Sequence, residues 1–216
     1  MVDAYNPLLS ALLFTPEEAA AIAAALSVES PWDEENVHIK SVKQKLKDHH
    51  LQRHRSTCCY CRTNLAGGGH YTIDREHILP KGNDNFKPLS FEIWNISVAC
   101  KRCNMEMKRN KIDFLIDPLN QVALQAGANY RFIHPNFDKW EDYLCRVMVQ
   151  FNEHVLVSYV VSDEPGEKGD YTHTYFNLTQ LEVQSYDEAQ GIARQAIATL
   201  SQAAQEVLRL RQEYNQ

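Results

Sequence analysis

No stretch of eighteen consecutive apolar residues occurs in the chain, so no segment is built to cross a bilayer as a helix. No basic run precedes the apolar stretch near the N-terminus, so that stretch does not read as a secretory leader. Internal repeats and low-complexity tracts are missing too, which removes solenoids and repeat arrays. Nor is there net positive charge: 22 Lys and Arg stand against 28 Asp and Glu, giving −6. Taken as uniform, that balance would argue against a nucleic-acid partner. What is present is an ordinary apolar fraction, 44%, over 216 residues. That is enough for one domain with appendages or two small ones, and disorder is not the expectation. The expected location is cytoplasmic, where paired cysteines more often bind metal or do redox work than form disulfides.

The charge is not uniform. Residues 38–111 carry fifteen Lys and Arg against six Asp and Glu, a net of +9, and the remainder carries −15. A basic middle between acidic ends points to one polyanion-binding region.

Local signals divide the chain into an N-terminal helical segment (1–33), a compact middle (34–116) and a C-terminal α+β extension (117–216). Thr15-Pro16-Glu17-Glu18 is a helix start, with Thr15 as cap and Glu18 able to complete a capping box. A second helix is expected from about Glu34 to Arg55, with Val42, Leu46 and His50 on one face and Lys40, Lys43, Lys47 and Arg53 on others. Those cations read either as a solvated basic face or as phosphate contacts. A strand is expected over His70–Ile78, ended by Pro80, a second over Trp94–Ala99, and a helix start over Asn104–Asn110. Further on, Cys145–Phe151 and Val155–Val161 read as a hairpin, and 163–170 as a loop. From about Tyr186 a long helix is expected, with an apolar stripe through Ile192, Ile197, Leu200 and Val207 that fits packing or a partner.

The densest signal is a pair of matched cysteine pairs, Cys58-x-x-Cys61 and Cys100-x-x-Cys103. Brought together they offer four thiolates to one zinc ion, and four protein ligands make such a site structural. Cys59 has poor knuckle geometry, and Cys145 reads as a small buried apolar residue. A redox pair is the alternative, disfavoured by two pairs bracketing an acidic-histidine segment. Between the pairs lies Asp74-Arg75-Glu76-His77-Ile78-Leu79-Pro80, and Asn95 and Asn104 flank the second pair. Glu, His and Asn together have the chemistry to hold a divalent cation and activate a water against a phosphodiester.

Glu76-His77-Ile78-Leu79-Pro80, Asn95, and Cys100-Lys101-Arg102-Cys103-Asn104 with Lys108 resemble the HNH endonuclease motif, over residues 58 to about 112. The resemblance implies a ββα-metal core supported by a four-cysteine zinc site, within an α+β chain that adds N-terminal helices and a C-terminal hairpin and long helix. It implies His77 as general base, Glu76 and Asn104 as ligands of a catalytic Mg²⁺ or Mn²⁺, and Asn95 as the residue that holds the loop through backbone hydrogen bonds. Many relatives have Asp or His where this chain has Glu76. Asp74, two residues upstream on the same strand face, could share or take the ligand role. Arg75, Lys81, Lys101, Arg102, Lys108 and Arg109 are the candidate phosphate contacts. Phe132-Ile133-His134-Pro135, Trp140, Tyr143 and the run Tyr175–Leu181 are similar to bacterial anti-phage HNH proteins, the nuclease subunits of Septu-type and retron-associated systems. Those work beside an ABC-type ATPase. The resemblance therefore implies DNA cleavage in a bacterial cytoplasm. Cleavage of RNA such as tRNA, and a non-catalytic zinc module that binds nucleic acid or protein, are the alternatives.

Overall fold

The computed structural model describes residues 3–151, 154–162 and 167–182, and the long helix expected from Tyr186 lies outside them. The chain is α+β and forms two compact units, Met1–Trp140 and Glu141–Gln216. Both boundaries read from the sequence, at 33/34 and 116/117, fall inside the first unit.

In the first unit, helix α1 (Pro16–Ala25) begins at the expected capping box. Thr15 Oγ1 accepts from Glu18 N at 3.3 Å, and a Glu18 carboxylate oxygen accepts from Thr15 N at 2.9 Å. Glu18 also accepts from Ser41 Oγ and Lys45 Nζ, each at 2.7 Å, which staples α1 onto helix α2 (Val37–Arg53). Losing an N-cap side chain costs about 1 kcal/mol. Thr15→Ala is expected to lower unfolding free energy by about that amount in a urea titration, with metal content unchanged.

Helix α2 starts at Asn36, whose side chain accepts from Ile39 N. Ile39, Val42, Leu46 and His50 recur at helical spacing and are all buried. With Ala25, Phe91 and Ile96, the apolar three form a core against which Leu12, Phe14, Ile22 and Trp32 pack. The basic residues of α2 do not all face water. Lys43 is buried and donates to Glu34 O, and Arg53 is buried in a two-pronged pair with Asp3 at 2.8 and 2.9 Å. Arg53 therefore holds the N-terminal segment and is removed from the list of phosphate contacts.

Strands β1 (Ile73–His77) and β2 (Ile96–Cys100) pair antiparallel, with Asp74 opposite Ala99, Glu76 opposite Ser97 and His77 opposite Ile96. β1 is shorter than expected because Gly69–Thr72 forms one helical turn, entered through Gly67 and Gly69 at φ of +76° and +55°. β2 starts later because Ile93–Asn95 is a 3₁₀ turn. After β2, Arg102–Lys108 winds as a wide π-helical turn, where the sequence suggested a helix starting at Asn104.

Residues 117–140 complete this unit. Phe114, Tyr130, Phe132, His134 and Phe137 form one cluster of ring contacts, and Asn136 Nδ2 donates to Trp94 O and Ile96 O. Phe132, Ile133, His134 and Trp140, which carried part of the family resemblance, are core residues here.

In the second unit, strands β3 (Leu144–Phe151) and β4 (His154–Val161) form the expected hairpin. A helix follows at Lys168–Tyr175, overlapping the last three residues of the stretch expected to be loop. Glu182 accepts from Tyr159 N at 2.8 Å and ties the following turn to β4. Phe176 and Leu178 are buried.

Candidate functional site

The two cysteine pairs converge. In the first knuckle Cys58 N donates to Thr63 O and Arg62 N to Cys58 O, both at 2.9 Å, with Arg62 at φ +56° closing the turn. Cys59 N donates to Val98 O, which fastens the knuckle to β2. Cys100 ends β2, Cys103 lies in the following helical turn, and Cys103 N donates to Cys100 Sγ at 3.5 Å. The four sulfurs lie within 4.8 Å of one another, and Cys61 and Cys100 are 3.8 Å apart. Tetrahedral Zn–S bonds of about 2.3 Å put sulfurs about 3.8 Å apart, so the cluster fits zinc. Thiol donors also select a soft or borderline ion over magnesium. Burial pushes the Cys58 thiol well up, whereas hydrogen bonds from Cys100, Cys103 and Cys58 hold Cys61 well down. All six cysteines are free, and Cys59 and Cys145 stand outside the group of four.

Strand alternation sends Asp74 and Glu76 to one face of β1 and His77 to the other. On the first face lies the helical turn. Asp74 accepts from Lys101 Nζ on one oxygen and from Asn104 Nδ2, at 3.0 Å, on the other. Glu76 is fully buried: one oxygen takes Lys108 Nζ at 2.9 Å and Tyr60 Oη at 2.9 Å, and the other has no partner. Burial raises the Glu76 pKa, and Lys108 opposes the rise. The two acidic residues are thus in different surroundings. The Asp74 side chain keeps 16% exposure beside an amide that can turn its oxygen outward, and Glu76 keeps none. Asp74 and Asn104 are the partly exposed oxygen-bearing side chains of this face, joined by a 3.0 Å hydrogen bond. Glu76, the first choice from the sequence, is sealed beneath Tyr60 and Lys108.

On the opposite face, His77 Nε2 lies 3.1 Å from Ser90 O. A carbonyl oxygen only accepts, so Nε2 carries the proton and Nδ1 presents a lone pair. Nδ1 makes no hydrogen bond among the described residues. The Trp32 ring packs edge-on at 4.4 Å. Burial drives the His77 pKa down to about 3, against the raising effect of the Ser90 bond. The imidazole is therefore neutral at pH 7. Asn95 bridges two loops: its Oδ1 accepts from Leu79 N at 2.7 Å, and its Nδ2 donates to Leu79 O and Leu89 O. Asn95 thus makes its contacts with backbone beyond the end of β1.

The chain matches no family model, no curated protein and no solved structure.

The six candidate phosphate contacts separate. Lys81 pairs with Asp33 near the surface, Lys101 covers Asp74, Arg75 and Arg102 are half-buried, and Arg109 is exposed. Lys108 is 1% exposed and spends its three protons on Glu76, His77 O and Arg109 O. It is a buried counter-ion, not a phosphate contact. Sequence reasoning also missed Tyr60 and Ser90, which hold Glu76 and His77. The signal for Tyr60 was its place between two ligands of the first knuckle. Ser90 acts through its backbone and left no signal.

Proposed function

We propose that this chain is a metal-dependent endonuclease of the HNH type that hydrolyses phosphodiester bonds in DNA. The observation that carries the proposal is the geometry of His77: an imidazole fixed as the Nε2–H tautomer by Ser90 O, with no hydrogen bond at Nδ1 among the described residues. That tautomer leaves Nδ1 as the atom that takes a proton from water, and the burial that weakens it as a base has to be relieved when substrate enters. Support comes from its setting, an antiparallel strand pair followed by a helical turn, all anchored by four cysteines.

The cysteine site holds zinc as a brace, since four thiolates leave no open position. A hard divalent ion, Mg²⁺ or Mn²⁺, would be held by Asp74 and Asn104, and when bound it supplies positive charge to phosphate oxygens. Lys101 neutralises Asp74 in its absence. Lys81, Lys101, Arg75, Arg102 and Arg109 are the cations that a phosphate backbone would meet here, Lys81 and Lys101 on leaving Asp33 and Asp74. Work beside an ABC-type ATPase in anti-phage defence belongs to the same proposal, and co-purification from the native operon tests it.

Cleavage of plasmid, single-stranded DNA and tRNA, with and without Mg²⁺, is the assay. A positioned general base contributes about 10²–10⁴-fold. His77→Ala is expected to lose about that much while keeping its zinc and its nucleic-acid binding. Full activity in His77→Ala removes the assigned base. Binding without cleavage of any substrate by the unaltered chain reduces the protein to a zinc module.

A further inference from the structure

A buried chain of hydrogen bonds links the first zinc knuckle to the strand that carries His77. Tyr60 lies between Cys58 and Cys61 and is fully buried. Its ring packs edge-on against Phe132, and its carbonyl accepts from Trp140 Nε1 at 3.1 Å. Its hydroxyl donates to Glu76 Oε1 at 2.9 Å. The same oxygen takes Lys108 Nζ at 2.9 Å, and Lys108 reaches on to His77 O at 2.8 Å and Arg109 O at 3.2 Å. None of these side chains has appreciable access to water.

We propose that Tyr60, Glu76 and Lys108 are positioning residues, which transmit the geometry of the zinc knuckle to the His77 imidazole. Glu76 and His77 share a peptide bond. Holding the Glu76 carboxylate and the His77 carbonyl from the same side fixes how that stretch of β1 is rotated. The direction in which the His77 side chain leaves the opposite face is then fixed as well. Ser90 O receives the ring at the far end. A buried charge pair with all three ammonium protons used has one good arrangement and poor neighbours, so the strand cannot drift without breaking it. The knuckle would otherwise be a remote brace. Through Tyr60 it sets the bearing of the ring. The catalytic consequence rests on the nuclease reading; the geometric one does not.

The test uses the full chain loaded with zinc and labelled with ¹⁵N at histidine. In the unaltered protein the two His77 nitrogens should read as protonated Nε2 and unprotonated Nδ1. Tyr60→Phe keeps the ring and its packing and removes only the hydroxyl. In that variant, and in Lys108→Met, the His77 signals are expected to move toward the tautomer average, and kcat should fall about tenfold at unchanged KM. A misplacement of about 1 Å is enough for losses of that order and more. Thr15→Ala, a distant change of modest stability cost, should leave the signals unmoved. If Lys108→Met does not fold, Tyr60→Phe decides. Unshifted His77 signals in Tyr60→Phe, or an equal shift in Thr15→Ala, overturn the proposal. So does loss of zinc from Tyr60→Phe, which would confine that residue to the knuckle itself. Shifted signals in a protein that cleaves no nucleic acid would uphold the coupling and sink the nuclease reading instead.

Discussion

Replacing Cys103 with serine should remove the zinc and unfold the first unit. Metal analysis of the unaltered chain is expected to find one zinc, and Cys103→Ser none. The expected size follows from what the ion holds. Cys58 and Cys61 belong to a loop tied to β2 by the Cys59–Val98 hydrogen bond, Cys100 ends β2, and Cys103 opens the helical turn that covers Asp74 and Glu76. Without the ion, the first knuckle and the turn after β2 lose what joins them, and the β1–β2 pair, marginal as two strands alone, keeps only its packing on α2 through Ile96. Structural zinc sites bind with apparent free energies of about 10–16 kcal/mol, and whole domains are stable by only about 5–15 kcal/mol. The loss is therefore comparable to the whole stability of the fold. Trp32, Trp94 and Trp140 are the three tryptophans of the chain, and all lie in the first unit. Their fluorescence should report the unfolding, on mutation or on chelation. Cys145→Ala, at a half-buried site on β3, should keep both zinc and fluorescence. A Cys103→Ser chain with a full complement of zinc and an unchanged melting curve would show that the four sulfurs are not its ligands.

Several parts of this arrangement are legible in the sequence because they rest on local rules. The Thr15–Glu18 box, the Val42–Leu46 stripe, the β3–β4 hairpin and the paired cysteines depend on spacing alone, and each stands where it was expected. What was not legible depends on what covers a residue. Alternation places Asp74 and Glu76 on one face of β1. It does not say that Tyr60 and Lys108 close over the second and leave the first beside Asn104. Lys43, Arg53 and Lys108 read as surface cations because charge normally faces water. Each is buried because a specific acceptor meets it, Glu34 O, Asp3 and Glu76 respectively. The aromatic cluster of 114–137 carries no regular period, so nothing in the sequence attached it to the first unit.

Acidification should destabilise the first unit well before its carboxylates protonate, and the cause is a set of buried histidines, His50 on α2, His54 at its C-terminal cap and His77 on β1. His54 Nε2 donates to Ser97 Oγ, and its Nδ1 accepts from Arg62. Protonating Nδ1 would set one N–H against another beside a guanidinium. His50 Nε2 donates to Ile93 O, and its Nδ1 is buried without a partner. Burial is the main reason that both pKa values lie well below the ordinary 6.5, with His49, Arg53 and Arg62 adding repulsion and Asp3 opposing it at His50. The sign follows. Above 6.5 both rings are neutral whether the chain is folded or not, and their contribution is fully present. Below 6.5 the unfolded chain takes up two protons that the folded chain refuses, so stability falls with pH until the folded values are reached. Each proton contributes about 1.4 kcal/mol per pH unit, and His77, which burial also holds far below 6.5, adds a third, so the slope reaches up to about 4 kcal/mol per pH unit. Urea titrations from pH 7.5 downward should show that slope, with a metallochromic dye reporting where zinc leaves. His50→Gln can still donate to Ile93 O and cannot titrate. It should lose about a third of the slope above the pH of zinc release. An unchanged slope in that variant would place the acid sensitivity in the thiolates, with the buried histidines as bystanders.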